Sequence, residues 1–114
     1  MWTIYHNPRC SKSRQTLQLL QDNGVEPEVV LYLETPPDAG TLSDLLKKLG
    51  IGARDLLRTG ETAYKELKLK NMELTDAQLI EAMVANPKLI QRPIVVHDDR
   101  AVLGRPPENA LELL

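Results

Sequence analysis

The chain has 114 residues, a length typical of one domain, with 14 Lys+Arg against 16 Asp+Glu and a net charge of −2. That balance argues against a protein that binds nucleic acid through its overall field. A single cysteine excludes an internal disulfide and any multi-cysteine metal or iron–sulfur site.

Trp2-Thr3-Ile4-Tyr5 reads as a short strand that ends at the Asn7-Pro8 turn signal. Ser11 to Asp22 suits a helix with Thr16, Leu17 and Leu20 on one face, capped near Gly24. Val29 to Leu33 is a near-continuous apolar run, expected to be a strand covered on both faces. The opening is therefore β-α-β. After Thr35-Pro36-Pro37 the pattern turns helical. One helix is predicted from about Thr41 to Leu49 and stops at Gly50; short helical pieces follow at Ala53–Leu57 and Ala63–Leu67. A capping box at Thr75-Asp76-Ala77-Gln78 opens another helix, which Asn86-Pro87 ends. Pro93 to Val96 and Ala101 to Leu103 are predicted to form a hairpin around a polar loop at His97 to Arg100, and a final helix runs from Glu108 to Leu114.

The chemistry gathers at the first turn. Cys10 stands where the exit loop of the first strand becomes a helix, and free helix N–H groups there favour negative charge. Arg9, Lys12 and Arg14 share that turn, and His6 lies four residues upstream. An unperturbed cysteine, with a pKa near ~8.5, is only about 3% thiolate at pH 7, so such surroundings matter. Lone cysteines are commonly inert and buried, but this one has polar and cationic neighbours. Cys10-Ser11-Lys12-Ser13 has the spacing of a dithiol redox motif with serine as the second member, so no local disulfide can close; Ser13 reads as a donor to the thiolate, a first-turn residue, or both. Nor is this a Cys-x5-Arg phosphatase loop, since Thr16 occupies the sixth position after Cys10. Arg58, Arg92 and Arg105 each adjoin a chain break, at Thr59-Gly60, Pro93 and Pro106-Pro107. His97, in the predicted hairpin loop, reads as a surface residue.

Several segments, in order, resemble the glutathione/glutaredoxin-coupled arsenate reductase family: Tyr5 to Arg14, Leu31 to Pro37, Leu56-Leu57-Arg58, Arg92 to Val96, and Gly104-Arg105-Pro106-Pro107. The resemblance runs from about Thr3 to Leu114. It implies a thioredoxin-like α/β fold with a four-stranded mixed sheet, ordered β-α-β, helical insertion, β-β-α. The expected organisation is a single domain over residues 1–114 with the insertion at about 38–87. By resemblance Cys10 is the nucleophile, His6, Ser13 and Arg14 tune the thiolate, and Arg58, Arg92 and Arg105 bind the oxyanion. A cis Pro93 would bring Arg92 towards Cys10. The implied activity is reduction of arsenate to arsenite, with no bound cofactor or metal, glutathione as co-substrate and glutaredoxin as recycling partner. The electron count agrees independently: As(V) to As(III) takes two electrons, two thiols provide them as one disulfide, and this chain owns one thiol. Two other readings on the same scaffold are a redox regulator and a glutathione-dependent thiol transferase. With no signal-peptide pattern and no membrane-length apolar run, the expected location is the cytoplasm, without membrane or nucleic-acid partners.

Overall fold

The computed structural model describes residues 1–114, which form two compact units. One comprises Met1–Thr35 with Arg92–Leu114, the other Pro36–Gln91.

The first unit is built on a four-stranded sheet of β1 (Trp2–Tyr5), β2 (Glu28–Val30), β3 (Ile94–His97) and β4 (Arg100–Leu103), in the order β2-β1-β3-β4. β1 runs parallel to β2, with Ile4 opposite Val29, and antiparallel to β3, with Ile4 opposite Val95. β3 and β4 form a hairpin. This is the expected four-stranded mixed sheet. Helix α1 (Ser11–Asp22) makes the crossover between the parallel strands and packs against a C-terminal segment, Pro107–Leu113. Ile4, Leu20, Val25, Val95, Ala110 and Leu113 form the core, with Trp2, Leu17 and Val102 against it. Apolar burial of this kind, aliphatic and drawn from both ends of the chain, is the main force holding the unit together.

Four local expectations are revised. The strand predicted at Val29–Leu33 stops at Val30 and is an edge strand, with Val29 exposed. Its pairing follows β1, and the ladder ends where His6 N–H donates to Val30 O at 2.8 Å before the Asn7-Pro8 turn leads the partner away. The hairpin turn is tighter than predicted, because His97 and Arg100 pair across only Asp98 and Asp99; Asp98 takes the left-handed conformation, at φ 55°. The last helix is a 3₁₀ helix, held by bonds such as Asn109 N–H to Pro106 O at 3.0 Å. His97 is no bare surface residue: it ends β3, stacks on Trp2 with centroids 4.2 Å apart, and places Nδ1 3.1 Å from Leu113 O.

The second unit is helical. Helix α2 (Ala39–Leu49) begins two residues earlier than predicted, because Asp38 caps it by accepting Thr41 N–H at 2.8 Å. Gly50 closes it in the left-handed conformation, at φ 71°. A 3₁₀ turn, Ala53–Leu56, and a short helix, α3 (Thr62–Glu66), follow. Arg54 ties that turn to the chain after α3 by donating to Leu69 O and Asn71 O. Helix α4 (Asp76–Ala85) opens on the predicted capping box, with Gln78 N–H to Thr75 Oγ1 at 3.2 Å and Thr75 N–H to Gln78 Oε1 at 2.8 Å. Leu42, Leu45, Leu56, Leu79, Met83 and Leu89 are buried within this unit. No helix in the chain is long and apolar enough to cross a membrane.

Candidate active site

Cys10 occupies the N-cap of α1 in extended conformation, φ −94° and ψ 122°, and is half-buried. The turn that delivers it is closed by Cys10 N–H to Asn7 O at 3.0 Å and braced by Arg9 N–H to Asn7 Oδ1 at 3.0 Å. Cys10 O then accepts Arg14 N–H as the first helical bond. No acidic side chain stands in the first turn of α1.

The sulfur therefore faces free helix amides. Burial opposes its ionisation, but hydrogen bonds from Ser13 N–H, the Arg92 guanidinium with its charge, and Lys12 N–H outweigh it, so the thiol pKa falls below its ordinary value. Three donors of this kind stabilise a thiolate without a neighbouring base.

The Ser13 hydroxyl is engaged elsewhere. It accepts Asn7 N–H at 3.0 Å and lies 2.6 Å from His6 Nδ1, in a buried contact between the first loop and the first turn of α1. Residue 13 thus reaches the sulfur through its backbone, while its side chain holds His6. Burial and, secondarily, the charge of Arg14 push the His6 pKa down, favouring the neutral imidazole. Arg14 is tied to the same loop by donating from Nη1 to Pro8 O at 2.8 Å. His6, Ser13 and Arg14 together set the shape of the Cys10 turn.

Arg92 immediately precedes β3, and the Arg92–Pro93 peptide is cis, as expected; Arg105–Pro106 is cis as well. Arg92 is half-buried, and its Nε is buried without a hydrogen-bond partner. Arg105 is exposed and donates from Nη1 to Arg92 O at 3.3 Å, a long bond that leaves most of its guanidinium donors available. Cys10, Arg92 and Arg105 all belong to the first unit. Arg58 belongs to the second, where its guanidinium pairs with Glu61 at 3.3 Å and its backbone N–H donates to Leu89 O at 2.8 Å.

Sequence reasoning passed over the packing that seats Arg92. Gly104 N–H donates to Pro93 O at 2.9 Å, and Thr16, fully buried on α1, donates to Lys12 O at 2.8 Å with Gly104 O 3.3 Å away. A Cβ on Gly104 would lie 2.6 Å from Thr16 Oγ1 and 2.7 Å from the Pro93 ring, so only glycine fits between them. The glycine directly before Arg105-Pro106, with a buried threonine on the opposite helix, was the available signal.

Fold and site together define a thioredoxin-like protein with one activated thiol, no second cysteine and the Arg92 guanidinium beside the sulfur. The chain belongs to the ArsC family, which it matches over residues 5–113. It is 64% identical over 112 residues to the uncharacterized protein YfgD of Escherichia coli K12, covering 97% of this chain and 94% of that one. An arsenate reductase of Haemophilus influenzae is 47% identical, with 97% of each chain covered. Among solved structures, an arsenate reductase from Vibrio cholerae superposes with a TM-score of 0.97 at 50% identity, covering 99% of this chain and 97% of that one.

Proposed function

We propose that this chain reduces arsenate to arsenite, using Cys10 as nucleophile and glutathione with glutaredoxin as the outside thiols. The observation that carries the reading is the sulfur of Cys10 under the amides of Lys12 and Ser13 and the Arg92 guanidinium, in a protein with no second cysteine. A thiolate nearing an arsenate oxyanion meets a repulsion of about 4 kcal/mol for unit charges at ~4 Å and an effective dielectric near 20. Guanidinium forks offset that repulsion by spreading the anion's charge and orienting one As–O bond opposite the sulfur. Arg92, beside Cys10, and Arg105, bonded to the Arg92 carbonyl, are assigned to this work. Arg58 keeps the same assignment on family resemblance alone.

In the first step an S–As bond forms and water leaves, a covalent-catalysis step that does not change the oxidation state of arsenic. Glutathione then attacks the Cys10 sulfur. An S–S bond forms, the S–As bond breaks with its electron pair passing to arsenic, and the thiol proton joins the departing arsenite. Arsenic falls from As(V) to As(III), and two sulfurs each lose one electron. Glutaredoxin removes glutathione from the mixed disulfide and restores the thiolate. This cycle needs a compartment that keeps thiols reduced, which points to the cytosol.

The test is arsenite production from arsenate, glutathione and glutaredoxin. Cys10→Ser is expected to fall to background, and Arg92→Ala or Arg105→Ala to raise KM for arsenate. Wild-type protein that yields no arsenite above background with both donors present overturns the substrate; deglutathionylation activity under those conditions would instead support a thiol transferase.

A further inference from the structure

On the flank of the Cys10 turn lies a cleft of about 310 Å³, walled by Asn7, Pro8 and Arg9 on one side and by Leu31, Leu33 and Glu34 on the other. It lies wholly within the first unit. Its volume is at the lower end of the range for small-ligand sites, about 300–1,000 Å³. Arg9 and Glu34 supply opposite charges; both are exposed, and neither side chain is engaged in an ion pair or hydrogen bond. Leu31 is half-buried and Leu33 exposed, giving the wall apolar surface between the charges. Arg92 and Arg105, the cations assigned to the oxyanion, come from around β3 and β4, on the opposite side of β1 from the β2 exit that carries Leu31 to Glu34.

We propose that this cleft seats the second thiol as a γ-glutamyl tripeptide, glutathione, with Arg9 holding the glycyl carboxylate and Glu34 the γ-glutamyl ammonium. The inference rests on the proposed reaction for its need of an outside thiol, but its recognition chemistry is independent of arsenate. An extended tripeptide spans about 10 Å and carries charge at both ends with its thiol in the middle. The cleft offers the complementary pattern, a guanidinium fork suited to a carboxylate and a carboxylate suited to an ammonium. Arg9 directly precedes Cys10 in the chain, so the cleft wall that carries the guanidinium belongs to the same turn as the sulfur. Leu31 and Leu33 cover the cysteinyl methylene and the peptide backbone between the anchors. Oxyanion and thiol then approach the sulfur from different flanks.

The test uses the purified full chain and needs no arsenate. Its thiolate attacks glutathione disulfide; a Cys10–glutathione S–S bond forms, the original S–S bond breaks, and glutathione thiolate leaves. The rate of this adduct's formation, read by mass spectrometry, is divided by the rate with hydroxyethyl disulfide, which lacks charged ends. Wild-type protein is expected to favour glutathione disulfide. Arg9→Gln and Glu34→Gln should each lower that preference about threefold, and the double variant about tenfold, as for lost exposed ion pairs. Added salt should lower it too. A preference unchanged in the double variant, or absent in wild type, overturns the cleft assignment. Arsenite production measured in parallel separates the two readings. A wild-type preference without arsenite overturns the arsenate substrate and supports the cleft; arsenite made equally well with any small thiol supports the substrate and overturns the cleft.

Discussion

Cys10 is held towards thiolate partly by groups that no mutation of a side chain removes, the amides of Lys12 and Ser13. Alkylation by iodoacetamide as a function of pH should therefore show a midpoint below that of a free thiol. Arg92→Ala should move the midpoint up without restoring the ordinary value, since the amides stay. Lys12→Ala should leave the amide contribution intact; a midpoint rising as far as in Arg92→Ala would refute it. His6 makes a second prediction. Its folded pKa lies below the ordinary value of ~6.5, from burial and then Arg14, so the unfolded chain binds a proton more readily than the native one. The stability associated with neutral His6 is complete above pH ~6.5 and is lost as pH falls from there through the folded pKa. Urea midpoints should drop over that range in wild type and respond less in His6→Asn. The candidate nucleophile was legible because its neighbours are charged and its helix start is marked by residue type. The hydroxyl of Ser13 was not, because Cys-x-x-Ser spacing does not tell whether residue 13 meets the sulfur with its side chain or its amide.

Caps and turns decide how faithfully the chain's elements follow their sequence signals. Asp38, Gly50 and the Thr75–Gln78 box act locally, so helices α2 and α4 were predicted within two residues. Thr75→Ala should cost about 1 kcal/mol in chemical denaturation, the usual loss for a removed N-cap. β2 was overextended because its length is set by β1, a partner 20-odd residues away in sequence, and an apolar run alone does not reveal where pairing stops. The 3₁₀ form of Pro107–Leu113 was equally hidden, since its apolar positions also suit an α-helix. Gly104 is an element-scale constraint, a point where α1, the Pro93 turn and the exit of β4 meet without room for a methyl group. Gly104→Ala should destabilise by about 1–3 kcal/mol, as overpacking does. It should also raise the Cys10 alkylation midpoint by displacing the Pro93 turn and with it Arg92. Lost stability with an unmoved midpoint would separate the packing from the thiolate.

For the molecule as a whole, the decisive fact is one thiol in 114 residues, so that the proposed cycle draws its second thiol from another molecule. With arsenate and glutathione but no glutaredoxin, the proposed cycle should stop after one turnover, with one glutathionyl group on Cys10 and no internal disulfide. Mass spectrometry of the intact chain reads this directly; unmodified protein after arsenite release would contradict it. The single thiol is legible from composition alone, whereas the side-by-side placement of Arg92 and Cys10, 82 positions apart, becomes visible only with the fold. The Trp2–His97 stack carries a further consequence. Trp2 is the chain's sole tryptophan, and its ring lies across the junction of β1 and β3. Tryptophan fluorescence, excited at the red edge where Tyr64 does not absorb, is consequently a private reporter for the strand-bearing unit, silent on residues 36–91, whereas circular dichroism near 222 nm weighs the helices of both. Superimposable melts by the two signals would mean that the halves unfold as one cooperative body, and divergent ones that each has its own transition.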